Sequence, residues 1–118
     1  HGPFYGILGY SQGCPMATVY IANSNVSFEK AFLFNGYLPS THSGLNDTIN
    51  EAAPLDVDAL IFGGGNDVFI FGVDELAGVY QEPTVIISST ADHHLPTAGD
   101  GVYRDILAFF RQGTDEVP

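Results

Sequence analysis

"GILGYSQGCP", residues 6–15, places Ser11 between Gly9 and Gly13 in the pattern Gly-x-Ser-x-Gly, on the heels of the apolar run "FYGIL". A strand that ends in a tight turn and passes at once into a helix can hold a serine in a strained conformation with its hydroxyl presented at the sheet's edge. Small residues on both flanks let strand and helix pass closely. The segment from Gln12 onward reads as that helix. The competing reading is an ordinary turn serine in a chain that contains 14 Gly.

Working outward, "FYGILGY", "AFLFNGY", "ALIFGGG" and "TVIISST" are short apolar runs, each ending in a glycine, turn or polar cluster, and they read as strands. They are apolar on both alternating faces, as in a parallel sheet covered on each side. Helices are expected over Cys14 to Ala22, Val73 to Tyr80 and Gly101 to Gln112, the last with Val102, Ile106, Phe109 and Phe110 at helical spacing. Pro15 suits the first turn of the first helix. Asp100 suits an N-cap of the last, Arg111 its final turn and Gly113 its C-cap. The predicted order is strand, helix, strand, strand, helix, strand, helix. Between Pro39 and Val57 runs a long polar connection with at most a short helical piece around Asp47 to Ala53, of the kind that borders functional sites. The tail after Gly113 is expected to fray.

Composition sets the bounds. A length of 118 residues, 45% hydrophobic and 14% charged, predicts one domain with a modest core. Three Lys and Arg against 14 Asp and Glu, a formal charge of -11, would repel phosphate backbones and anionic membranes, so nucleic acid is not an expected partner. No run approaches the ~20 apolar residues of a membrane span, nor does the start resemble a signal peptide, so the chain reads as soluble with its compartment open. Cys14 has no cysteine partner, and no Cys/His cluster has structural zinc spacing. The sequons at Asn25 and Asn46 matter only in a secreted chain.

A serine hydroxyl needs a histidine base and a carboxylate to orient it. On this kind of turn the partners follow in the order acid, then histidine. Asp67 follows the strand in "ALIFGGGND" and His93 the strand in "TVIISSTAD", both just past carboxyl ends, where sites form in α/β sheets. Asp74 and Asp92 are alternative acids, and His94 is an alternative base. "FGGGND" lacks the spacing and the Lys of a phosphate loop. His1-Gly2 precedes the strand and Cys14 reads as a small packed residue.

Together "GPFYGILGYSQG", "GGGND", "DELAGVY", "PTVIISS" and "HHLPT" resemble the carboxyl-terminal half of the FSH-type serine hydrolases in the α/β-hydrolase superfamily, whose elbow Gly-Phe-Ser-Gln-Gly is followed by a Gly-x-x-Asp turn and a His-x-x-Pro segment. The resemblance spans Gly2 to about Phe110. It implies a single domain over 1–118, with 114–118 a flexible tail, and a partial α/β-hydrolase fold: a mostly parallel sheet of about four strands flanked by helices, lacking the strands before the nucleophile elbow. It further implies Ser11 as nucleophile, Asp67 as acid, His93 as base and the Gln12 N–H as oxyanion donor. The expected activity is hydrolysis of a small carboxylic ester or thioester, with no metal or organic cofactor required. The expected partner is whatever completes the sheet: a missing amino-terminal half, a second copy or a larger complex. The alternative function is a non-catalytic structural or interaction subunit derived from a truncated hydrolase.

Overall fold

Short β-branched and aromatic runs bounded by glycine form strands when both their faces can be buried. A computed structural model describes residues 4–23, 28–39 and 42–111. The strands are β1 (Phe4–Tyr10), β2 (Phe28–Phe34), β3 (Asp58–Gly64) and β4 (Thr84–Ser88). They form one sheet in the order β1-β2-β3-β4 with every neighbouring pair parallel. The helices are α1 (Gly13–Asn23), α2 (Ser43–Ala52), α3 (Phe71–Ala77) and α4 (Tyr103–Arg111). Strand and helix therefore alternate throughout.

This corrects the predicted order at one point, where β2 and β3 were expected to follow one another. Parallel neighbours cannot be joined by a hairpin and need a crossover, and α2 supplies it. The helix begins at Ser43, well before the expected piece at 47–53, because His42 caps it: its backbone is extended and its Nδ1 accepts from the Leu45 N–H at 3.1 Å. Smaller shifts occur elsewhere. α3 starts two residues early and stops at Ala77, leaving Tyr80 to bridge Leu55. β2 begins at Phe28 and ends at Phe34, where Asn35 turns into the left-handed region at φ 56°. Asp100 lies a turn before α4, its carboxylate accepting from the Val102 N–H and its carbonyl from Tyr103. His1-Gly2, the Asn25 sequon, the C-cap expected at Gly113 and the tail lie outside the described residues.

Alternation on β2 and β3 divides the core. Ala31, Leu33, Ala59 and Ile61 pack with Cys14 and Ala17 of α1, Ile49 of α2, and Val73 and Leu76 of α3. Phe32, Phe34, Leu60 and Phe62 face the other way, onto Ile106 and Phe109 of α4. The Phe109 ring stands edge-on to Phe32 at 5.6 Å, while the buried Lys30 ammonium lies 4.3 Å above it and pairs with Asp58 at 2.9 Å. At the sheet's two edges Leu8 of β1 and Val85 and Ile87 of β4 are exposed. No helix among the described residues is long and apolar enough to cross a membrane.

Cys14 is fully buried behind the turn that carries Ser11, with its Sγ donating to the Phe34 carbonyl at 3.5 Å. Burial pushes its thiol up to about 12, and the thiolate is the reactive form. Native protein at pH 8 is expected to resist iodoacetamide, with Cys14 alkylated promptly only in denaturant; mass spectrometry of the two samples makes the comparison.

Candidate active site

Ser11 sits at φ 53°, a conformation that L residues rarely adopt. Its surroundings hold it there. The Ser11 N–H donates to the Phe34 carbonyl at the end of β2 at 2.9 Å, and the Ser11 carbonyl accepts from the Cys14 N–H at 3.0 Å. A methyl group on Gly9 would lie 2.7 Å from the Gly13 carbonyl oxygen and 2.9 Å from the Cys14 Cα, so only glycine lets β1 and α1 pass. Gly13, the small residue expected on the other flank, has no such constraint: a Cβ there would meet open space.

Three loops past the carboxyl ends of β1, β3 and β4 bring Ser11, Asp67 and His93 together. Ser11 Oγ lies 2.8 Å from His93 Nε2, and His93 Nδ1 lies 2.7 Å from Asp67 Oδ2. The Asp67 side chain is 1% exposed and that of His93 29%. Asp67 Oδ1 is held by the Phe69 N–H at 2.9 Å, and its own N–H donates to the Gly64 carbonyl at 3.0 Å. Because an ionised carboxylate only accepts, the ring proton belongs on Nδ1, which leaves Nε2 to accept from the serine hydroxyl. The rings of Phe69 and Tyr10 flank the imidazole with centroids at 5.3 and 5.5 Å.

The alternative residues lie otherwise. His94 Nδ1 donates to the Leu95 carbonyl at 3.0 Å and its Nε2 accepts from the Asp92 N–H at 3.3 Å. Asp92 accepts from the His93 backbone N–H at 2.8 Å rather than from its ring. Asp74 is an exposed residue of α3. Gln12 is exposed at the turn into α1, where it joins Pro15, Met16, Tyr37, Leu38 and Leu45 around a cleft of about 230 Å³, with Pro39 and His42 from the long β2–β3 connection. No cluster of three or more His, Cys, Asp or Glu that could hold a metal ion occurs among the described residues.

Two residues that the sequence reasoning passed over touch the loop carrying His93. Buried Asn35 donates through Nδ2 to the His94 carbonyl at 2.7 Å and accepts through Oδ1 from the Gly64 N–H at 3.2 Å. The Tyr10 hydroxyl donates to the His93 carbonyl at 2.8 Å. The one signal for Asn35 in the sequence is the Asn-Gly pair closing "AFLFNG", which marks a left-handed turn.

The family model described as Serine hydrolase (FSH1) matches residues 1–102, a span that contains Ser11, Asp67 and His93. No curated protein matches the chain at a significant level.

Proposed function

Since the chain belongs to the serine hydrolase (FSH1) family, we propose that it hydrolyses carboxylic esters or thioesters through Ser11, His93 and Asp67. Ser11 Oγ attacks the acyl carbon while His93 Nε2 takes the hydroxyl proton. The tetrahedral oxyanion is met by the Gln12 N–H. Collapse expels the alkoxide or thiolate, which takes the proton from His93 Nε2. Water then repeats the sequence on the acyl-serine, with His93 accepting its proton and returning it to Ser11 as the carboxylic acid leaves. Buried Asp67 keeps the Nδ1 tautomer and stabilises the imidazolium formed at each attack.

The observation that supports this reading best is the unbroken chain of hydrogen bonds, 2.8 and 2.7 Å, from the serine hydroxyl to a carboxylate 1% exposed. An ordinary turn serine needs neither partner. The cleft beside Gln12 is the place for the acyl group; its walls are mainly apolar and carry no Lys or Arg, which favours an uncharged chain.

A fluorophosphonate probe tests the reading, since it reacts with activated serines. Labelling is expected at Ser11, located by peptide mass spectrometry, and Ser11→Ala is expected to remove it with the circular dichroism spectrum unchanged. Folded wild-type protein that leaves Ser11 unlabelled at neutral pH would refute the assignment.

A further inference from the structure

The stretch 91–96, which carries His93, contains neither helix nor strand, so no backbone ladder fixes where the imidazole points. Two side-chain donors grip successive carbonyls of this stretch: the Tyr10 hydroxyl holds that of His93 at 2.8 Å, and Asn35 Nδ2 holds that of His94 at 2.7 Å. Both donors are indexed to the serine. Tyr10 immediately precedes Ser11, and Asn35 immediately follows Phe34, whose carbonyl binds the Ser11 N–H. Asn35 reaches the acid as well, because its Oδ1 takes the N–H of Gly64 and the Gly64 carbonyl takes the N–H of Asp67.

We propose that Tyr10 and Asn35 are positioning residues that hold the His93 ring in line between Ser11 and Asp67 by clasping the carbonyls of His93 and His94. The proposal rests on the reading that this hydrogen-bonded chain performs the chemistry. The His93 carbonyl is bonded to the His93 Cα, so holding it and the next carbonyl fixes the peptide plane on the carboxyl side of that Cα. Asp92 Oδ1 holds the His93 N–H on the amino side at 2.8 Å, and together these restraints set the Cα–Cβ bond and the direction of Nε2. A misplacement of about 1 Å at a reacting group is worth on the order of 10²-fold in rate. Burying an amide is unfavourable unless its donor and acceptor are both used. At Asn35, 2% exposed, both are used: one bond reaches the stretch that carries His93, the other the last residue of β3, from which the Asp67 turn departs. Its left-handed backbone at φ 56° is one that asparagine tolerates better than most residues.

The test compares wild type, Tyr10→Phe, Asn35→Asp and Asn35→Gly in the intact chain. Tyr10→Phe keeps the ring and removes only the hydroxyl. Asn35→Asp keeps an acceptor for the Gly64 N–H but presents an acceptor where the His94 carbonyl needs a donor, whereas Asn35→Gly keeps the backbone conformation and loses both bonds. The readouts are the rate of fluorophosphonate labelling and the proton NMR signal of His93 Nδ1–H, which hydrogen bonding to Asp67 shifts far downfield. Tyr10→Phe and Asn35→Asp are each expected to slow labelling about tenfold and to broaden that signal or move it upfield. Either residue loses its role if its variant keeps the wild-type rate and signal. Impairment of Asn35→Gly with a normal Asn35→Asp would show that Asn35 merely braces β3. Should Asn35→Asp fail to fold, Tyr10→Phe still decides the matter for the tyrosine and the clasp. A wild type unlabelled at Ser11 would sink the hydrolase reading alone, since the NMR comparison judges the clasp without it.

Discussion

Alanine at His93 is expected to lower ester turnover on the order of 10⁵- to 10⁶-fold, the scale seen when a hydrolase loses its general base, whereas alanine at His94 leaves turnover within a few-fold. The two histidines are adjacent in sequence and opposite in bonding. His93 alone bridges Ser11 and Asp67, so without its ring the serine proton has no acceptor. The His94 ring is spent on the Leu95 carbonyl and the Asp92 N–H, and what the site takes from this residue is its carbonyl, which alanine retains. Steady-state hydrolysis of a p-nitrophenyl ester, with circular dichroism to verify folding, makes the comparison. A larger loss from His94→Ala would reverse the assignment of the base.

The second large effect is on stability. In the first turn of α3, a methyl group on Gly72 would overlap the carbonyl oxygen of Gly36 and crowd the Tyr37 Cα at 2.8 Å. Both contacts are with backbone, which cannot rotate away as a side chain can. Gly72→Ala is expected to cost about 3 kcal/mol or more, a fall in Tm of roughly 10 °C. Gly13→Ala is the control: its Cβ meets nothing, and alanine is the better helix former, so its Tm is expected to stay level or rise. Thermal melts by circular dichroism measure both, and equal Tm values would refute the packing argument.

What could be read in advance was what lies close together along the chain. The four strands were legible because each contains a short apolar run, though the run in β2 hides its start at Phe28 behind Glu29 and Lys30, and Ser11 because its turn is a local pattern. Asp67 and His93 were legible as residues just past strand ends. α2 was nearly invisible, since Ile49 alone among its residues is buried and so little apolar periodicity marks it; its start depends on a histidine serving as cap. Asn35 was passed over because its function depends on a carbonyl 59 positions away. Likewise, "FGVDEL" does not say that another backbone presses against Gly72, nor does "SQGCP" say that Gly13 has room.

β4 is five residues long and among the described residues pairs with β3 alone, and the stretch holding His93 follows directly from it. Ser11, Asn35 and Gly64, by contrast, belong to β1, β2, β3 and the turns at their ends. Edge elements with exposed apolar side chains open at lower free energy than a buried core. Peeling β4 from β3 is therefore expected to withdraw His93 while the other three strands stay together. On the proposed chemistry, loss of Ser11 labelling and denaturation are then expected to be separate events, the first occurring while most of the described structure is still folded.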